Sequence, residues 1–443
     1  MIGRVIVMKF GGTSLGDARH IREVVEIVRR QLPARPVVVV SAHAGVTDAL
    51  LEVAARAPLG DATTEPIAAR HRQILVDLDL PHQLLDPLLG ELHDLARGLR
   101  LVGAASAKAR DLLVSYGERC SARTVAAALG AGGIPATAVD AFAAGLRTDS
   151  AFGRARPLPD DGRIEQAIAA VPGVPVVTGF IAADELGNVT TLGRNGSDYS
   201  AALFGAALRA TEIQIWKDVD GVRTADPRLV PEARPIRRMG FTEVCELASF
   251  GSKVLHPAAM VPAMQAGIPM SVRHTEAPDA PGTHIEADVA VPHGAVRAIA
   301  HRAGMALVTV QSDRLVPQHA FLGRVFGELA SLHGELGPVA VSEAAVTVAL
   351  DRHAAGPAAA RLGLLGEVGI EPDRAVVGVV ADVAAIEHGA AAAVFDTLQK
   401  QGIPVRCAGQ GARGGTLAVV VAETDLSRTV RALHQRFFAE VGS

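Results

Sequence analysis

The sequence predicts an α/β protein in which a mainly parallel sheet covered by helices is followed by two small α+β modules. Three observations carry that expectation. Of 443 residues, 49% are apolar but only 3% aromatic, and Ala, Val, Leu and Gly are prominent; that composition suits parallel strands buried under closely packed helices. The chain opens with a strand, a Gly-rich turn, a helix and a second strand. It closes with two segments of similar outline, each resembling a strand–helix–strand–strand unit.

Residues 4–10 read as the first strand, 11–14 as the turn, 18–31 as an amphipathic helix and 36–41 as the second strand. That succession is a βαβ unit and requires a parallel pair. Residues 61–123 lack strand-like runs and carry helical periodicity, so a helical insertion is expected there. Strands return at 134–139 and 174–178, and a hairpin is expected around 185–188. Residues 197–209 read as a helix, 212–216 as a buried strand with Asp220-Gly221 turning after it, and 242–266 as helical with a break at His256-Pro257. Between 278 and 292 the chain becomes rich in Pro, Gly, Asp and His, a linker signal. The expected division is therefore a front domain of residues 1–285 and a rear region of 286–443. In the rear region, 306–311 and 345–351 read as strands around a helix at 319–333. After them, 375–381, 404–407 and 416–422 read as strands around a helix at 390–401.

A formal charge of −4 supplies no basic field, so no nucleic-acid partner is expected. Cys120, Cys245 and Cys407 are scattered without a C-x-x-C spacing, which indicates neither a disulfide framework nor a zinc site and fits a reducing cytoplasm. The first apolar run is too short for a signal-peptide core. The longest apolar region, 124–146, is broken by Pro135 and Asp140, so no membrane segment is expected. The lysines are only Lys9, Lys108, Lys217, Lys253 and Lys400, and three of these fall inside the dense motifs below; a compact ammonium is the implied requirement.

Lys9-Phe-Gly-Gly-Thr-Ser14 follows a strand and precedes a helix. Gly11 and Gly12 let the backbone approach phosphate oxygens, the helix start and Ser14 offer donors, and Lys9 adds a charge. A tight turn is the plain alternative, and the Walker spacing is absent. Ser41-Ala-His-Ala-Gly-Val-Thr47 repeats the arrangement after the second strand, with Ser41 and Thr47 at the carboxyl edge where ligands of open sheets bind. His43 by itself reads as a solvated loop histidine. Gly117-Glu118 reads either as a carboxylate at a helix mouth, favoured by the dipole, or as a receptor for a substrate ammonium. In Leu192-Gly-Arg-Asn-Gly-Ser-Asp198, Arg194 can grip a carboxylate and Asp198 can hold an ammonium or a metal; a helix cap by Ser197 or Asp198 is the alternative. Lys217, Asp218, Arg223 and Arg228 offer charge to a nucleotide or decorate a surface hairpin, and Lys253, at an expected helix start in its Ser-Lys-Val-Leu-His-Pro context, can reach phosphates.

Taken together, Lys9 to Ser14, Gly117-Glu118, and the stretches 192–201, 218–228 and 253–257 resemble the aspartate kinases in order and spacing, over nearly the whole chain. The resemblance implies an amino-acid kinase fold, a three-layer α/β/α sandwich, followed by two ACT-type, ferredoxin-like modules. It implies transfer of the γ-phosphoryl of ATP, with Mg²⁺, to the β-carboxylate of L-aspartate, giving 4-phospho-L-aspartate on the route to lysine, threonine and methionine. Lys9 and Asp198 would be catalytic. Ser41, Thr47, Glu118, Arg194 and Ser197 would surround aspartate, and Lys9, Gly11, Gly12, Ser14, Lys217, Asp218, Arg223, Arg228 and Lys253 would contact ATP. Lys217, Arg223, Asp48 and Asn195 stand where the family usually has Thr, Tyr, Asn and Gly. In the rear, Phe321, Leu322, Ser342 and Glu343 occupy the places of an effector site for lysine or threonine. The pattern thins at 334–338 and 409–415, so inhibition is expected to be weakened or lost. A homodimer or homotetramer through the ACT region is implied, and no fused homoserine dehydrogenase is expected. A kinase for another amino-acid carboxylate and a non-catalytic amino-acid sensor are the rival readings.

Overall fold

The computed structural model describes residues 5–252, 254–287, 289, 295–312, 318–330, 332, 336–411 and 415–439. Lys253, and parts of the stretches 278–292, 334–338 and 409–415 singled out above, lie outside the described residues.

The strands of the front half are β1 (Ile6–Phe10), β2 (Pro36–Val40), β3 (Ala136–Val139), β4 (Val174–Thr178), β5 (Ile181–Ala183), β6 (Val189–Thr191), β7 (Glu212–Lys217), β8 (Arg238–Gly240), β9 (Met270–His274) and β10 (Thr283–Glu286). Its helices are α1 (Ala18–Gln31), α2 (Val46–Arg56), α3 (Glu65–Asp77), α4 (Asp86–Val102), α5 (Ala107–Ala131), α6 (Arg163–Ala169), α7 (Gly196–Ala207), α8 (Phe241–Ser249) and α9 (Pro257–Gln265). The rear half contributes β11 (Val296–Gln311), α10 (Gln318–Ala330), β12 (Leu336–Val341), β13 (Ala345–Asp351), α11 (Arg352–Leu362), β14 (Glu367–Ala381), the single turn α12 (Val383–Ala385), α13 (Ala391–Lys400), β15 (Cys407–Gln410), β16 (Thr416–Ala422) and α14 (Leu426–Phe438). Two compact units result: Met1–Val222 with Arg237–Phe241 and Val254–Ala287, and Arg223–Ile236 with Thr242–Lys253 and Asp288–Ser443.

The first unit is built on a sheet of order β3-β4-β2-β1-β7-β9-β10-β8. From β3 to β9 every pairing is parallel, and β10 alone reverses against β9. The central strands β1, β2 and β4 are buried along their whole length, as the uninterrupted apolar runs of a parallel sheet require. Asp17 caps α1 by accepting the His20 N–H, and Ile21, Val24, Val25 and Val28 turn one face of that helix into the core. The expected insertion is present as α3, α4 and the first part of α5. Their Leu75, Leu89, Leu92 and Leu113 join one apolar cluster with Met8 and Phe10 of β1. The expected hairpin is the antiparallel pair β5–β6. The break expected at His256-Pro257 is wider, since α8 ends at Ser249 and α9 begins with Pro257 in the first helical position, where its missing N–H costs nothing.

The second unit departs from the expectation of two modules in series. β11 and β14 are 16 and 15 residues long, and each serves both modules. Met305 to Gln311 of β11 pairs with β13 and with Glu367 to Arg374 of β14, which completes a four-stranded module of order β12-β13-β11-β14 with α10 and α11. Val296 to Arg302, the first part of β11, pairs instead with Val376 to Ala381 of β14 and completes a second module of order β11-β14-β16-β15 with α13 and α14. The first module is thus inserted into the second. A bulge around Arg302 to Leu307, with Gly304 at φ 71°, marks the changeover. Met305, Leu307 and Ala349 of one module meet Val376, Cys407, Ala418 and Val420 of the other in a shared apolar cluster. The short strand expected at 404–407 lies instead at β15, downstream of Pro404, which cannot donate to a ladder. No helix among the described residues is long and apolar enough to cross a membrane.

Candidate active site

The carboxyl ends of β1, β2 and β7 lie side by side because these strands are parallel neighbours. Lys9 is the penultimate residue of β1 and Lys217 the last of β7. Both ammoniums reach Asp198 in the first turn of α7: Lys9 Nζ lies 2.6 Å from Oδ1 and Lys217 Nζ lies 3.0 Å from Oδ2. Lys217 also donates to the Val254 carbonyl at 2.6 Å. Burial works against the Asp198 charge, but the two ammoniums outweigh it and hold the carboxyl below its ordinary range. Lys9 is buried, and the loss of solvation together with the neighbouring Lys217 lowers its pKa although Asp198 pulls the other way. Two cations on one carboxylate leave one positive charge in excess inside the protein. That is an arrangement suited to an incoming anion.

The turn after β1 is held in place from below. The Gly11 N–H donates to the Trp216 carbonyl at 3.1 Å, and the Ser14 hydroxyl lies 2.7 Å from that of Thr275. Gly12 backs onto the loop after β2 so closely that a Cβ there would fall 2.9 Å from the Ala42 carbonyl. The same loop is gripped from the other side by Glu118, whose Oε1 accepts the Ala42 N–H at 3.1 Å. Gly117 allows that approach, since a Cβ on it would come 2.8 Å from the Ala42 methyl.

Glu118 is 2% exposed and its Oε2 has no protein partner among the described residues. Burial pushes its pKa up to about 8, against the pull of the Ala42 N–H and of Lys9. The helix-mouth reading is overturned. Glu118 sits in the interior of α5, whose start is set by Ser106 accepting the Ala109 N–H, too far away for the terminal dipole to act on it. The cap reading at 197–198 is overturned as well: the cap position of α7 is Asn195, in the left-handed region at φ 56°, with no side-chain cap bond, while Asp198 is taken up by the two lysines.

Ser41 is half-buried and donates its N–H to the Phe10 carbonyl at 3.2 Å; Thr47 is half-buried in the first turn of α2. Ser197 is buried, and Arg194 and Asp218 are exposed. Arg194 makes no ion pair among the described residues. Arg223 and Arg228 fall in the second unit, where Arg223 donates to the Ala233 carbonyl and bridges Pro235, and Arg228 pairs with Asp226 at 2.7 Å.

His43 corrects another expectation. It is 1% exposed, its Nδ1 lies 2.6 Å from the Leu15 carbonyl, and its ring centroid is 5.1 Å from that of His71. Burial pushes its pKa down to about 4. His71 could have been found in the sequence, because it continues the inward face of α3 set by Ile67, Ala68, Ile74 and Leu75. His43 lies in a loop without such a period.

In the second unit Phe321 of the expected effector site is 5% exposed and packs in the core of the first module with Val325 and Leu329, and Leu322 is half-buried beside it. Ser342 and Glu343 are exposed at the β12–β13 turn, closed by the Ser342 N–H on the Ala345 carbonyl. Gln318 at the start of α10 donates to the Ser342 carbonyl at 3.1 Å, which brings these positions to one end of the module.

A mostly parallel sheet with a Gly-Gly turn and a buried lysine–carboxylate–lysine cluster at its carboxyl edge defines an amino-acid kinase, and residues 4–274 match the amino acid kinase family. Residues 377–437 match an ACT domain. The chain is 33% identical to lysine-sensitive aspartokinase 3 of Escherichia coli K12, covering 99% of this chain and 100% of that one, and 32% identical to aspartokinase 1, chloroplastic, of Arabidopsis thaliana, covering 98% and 80%. Its structure is similar to that of E. coli aspartokinase III in complex with aspartate and ADP in the R-state, with a TM-score of 0.84, 31% identity and coverage of 98% and 100%. The lysine and aspartate complex of the same enzyme in the T-state gives a TM-score of 0.81 at 31% identity, covering 98% and 99%. The chain belongs to the aspartokinase family.

Proposed function

We propose that the protein is an aspartate kinase that transfers the γ-phosphoryl of ATP to the β-carboxylate of L-aspartate, giving 4-phospho-L-aspartate and ADP. The observation that carries this reading is the buried Lys9–Asp198–Lys217 cluster, with its excess positive charge, beside the unpartnered carboxylate oxygen of Glu118. The attacking carboxylate is already ionised at neutral pH, so no base is required. One of its oxygens forms a bond to the γ-phosphorus as the bond from that phosphorus to the β,γ-bridging oxygen breaks, and ADP leaves with the electron pair. Catalysis then consists of positioning and of cations where charge gathers.

In this reading Lys9, steered by Asp198, faces the transferring phosphoryl, and Gly11, Gly12, Ser14, Lys217 and Asp218 serve the nucleotide. Glu118 receives the aspartate ammonium on Oε2, Arg194 folds in to take the α-carboxylate, and Ser41, Thr47 and Ser197 complete the surroundings. Arg223, Arg228 and Lys253 carry their nucleotide role on the motif alone. Among the described residues no group of three or more His, Cys, Asp or Glu side chains is arranged to hold a metal ion. Mg²⁺ would accompany the ATP phosphates and neutralise their charge.

The proposal extends to a catalytic region of residues 1–285 and a regulatory region of 286–443, to a homodimer or homotetramer formed through the ACT modules, and to a cytoplasmic enzyme on the route to lysine, threonine and methionine. Lysine or threonine is the effector class. Its grip is weakened here, since Phe321 is spent on the module core and the acidic pattern at 334–338 is thin. The test is ADP release with Mg·ATP and trapping of the acyl phosphate by hydroxylamine. Hydroxamate that forms with aspartate alone supports the reading; ATP binding without it reassigns the acceptor, and no ATP binding leaves a sensor.

A further inference from the structure

We infer that His43 is a positioning residue for phosphoryl transfer, fastening the phosphate turn after β1 to the loop after β2 so that the two halves of the site keep a fixed separation. The inference rests on the kinase reaction proposed above. Its basis is a chain of contacts within the first unit. Leu15 closes the turn that begins at Gly11, and its carbonyl lies 2.6 Å from His43 Nδ1. A carbonyl only accepts, so Nδ1 carries the proton and the neutral ring presents a bare Nε2. One residue earlier, Ala42 offers its N–H to Glu118 and its carbonyl to the close approach of Gly12. The three-residue stretch Ala42–Ala44 therefore touches the phosphate turn at two points and the ammonium receptor at a third.

The burial argues that this hydrogen bond is the reason for the residue. His43 Nε2 and His71 Nδ1 are both enclosed without a partner among the described residues, a cost that an apolar side chain of similar size would not incur. The His71 ring from α3, inclined by 57°, stops the imidazole from swinging away from Leu15. Burial, with Arg70 nearby, keeps His43 neutral across the range in which such enzymes are assayed, so its part is mechanical. The single ring proton is taken up by the Leu15 carbonyl, so the side chain acts through the two loops that it joins.

The experiment compares full-length His43→Leu and His43→Asn with the wild type by steady-state hydroxamate kinetics, with thermal midpoints measured alongside. The Asn amide nitrogen stands as many bonds from the backbone as Nδ1 and can donate to Leu15; Leu cannot. Expected is a fall in kcat of about tenfold or more for the Leu variant, with a raised KM for Mg·ATP and an aspartate KM that moves less, and recovery of most of the loss by Asn. Where His43→Leu does not fold, His43→Gln, whose amide lies one bond farther out, takes its place with the same expectation. A folded Leu or Gln variant with wild-type kcat and KM overturns the inference, as does equal damage in Asn and Leu, which assigns His43 to packing. A wild type that makes no aspartyl hydroxamate removes the reaction itself and is seen before any variant is compared.

Discussion

The Lys9 ammonium and the Asp198 carboxylate meet at 2.6 Å where β1 ends and α7 begins, both almost wholly buried. The pair joins a strand to a helix that starts nearly two hundred residues later, and Lys217 completes it from the neighbouring strand. Charge balance and catalytic geometry therefore depend on the same atoms.

Removing the carboxylate separates these two roles. Asp198→Asn leaves the buried Lys9 ammonium unpaired beside the part-buried Lys217 and is expected to destabilise the protein by about 3–5 kcal/mol in denaturant titration. Lys217→Thr leaves the Lys9 pair intact and is expected to cost clearly less. Equal losses would show that Lys217, not Lys9, is the partner that matters for folding.

Lys9→Ala is expected to lower kcat by roughly 10²–10³-fold while changing the aspartate KM little, because its cation acts where charge develops. Arg194→Ala is expected to raise the aspartate KM by tenfold or more, since a charge-assisted pair to a carboxylate is lost, roughly 1.5–3 kcal/mol. Steady-state kinetics on both variants checks this, and the reverse pattern would exchange the two assignments.

Glu118 gives a pH dependence. Its pKa is about 8 in the folded protein against an ordinary 4.5, so the protein holds that proton more tightly when folded. The stability this supplies is complete below about pH 4.5 and is lost as pH rises through 8. Without aspartate, the melting temperature of Glu118→Gln is therefore expected to gain on the wild type between pH 5 and pH 9. Binding of an ammonium requires the ionised form, so the wild-type aspartate KM is expected to fall as pH rises toward 8 and that of the variant to stay high and flat.

Weak regulation is checked in the same assay. With lysine or threonine added at concentrations that saturate a sensitive aspartokinase, activity is expected to stay near its uninhibited level. Strong inhibition by either amino acid would mean that the exposed Ser342 and Glu343 turn suffices for an effector site.

What could be read in the sequence was what local pattern decides. β1, α1 and β2 were legible because unbroken apolar runs and a capped helix leave little choice, and Lys9 and Asp198 stood out as charges at element ends. Glu118 was legible as a candidate but not in its setting, because Ser106 starts α5 well upstream and a long helix shows no mark where a functional residue sits inside it. Lys217 was assigned to a nucleotide, while its bond to Asp198 depends on β1 and β7 becoming neighbours, which no local pattern announces. The burial of His43 comes from α3 folding over it. The rear strands were placed correctly over 306–311 and 375–381, but their extensions pair across a long stretch of sequence, and residues 296–302, whose burial does not alternate, follow directly on the linker signal.

The insertion of one rear module into the other has a consequence for how the chain leaves the ribosome. Everything the inner module needs, from Met305 to Arg374, is contiguous and can close as soon as it emerges. Val296 to Arg302 is made first but must wait for Val376 to Ala381 before it has a neighbour, and its sheet is finished only when β16 and β15 have followed. The order of assembly therefore runs from the inside outward, with the inner module drawing the two ends of the outer one together and sparing it most of the entropy of closing that loop.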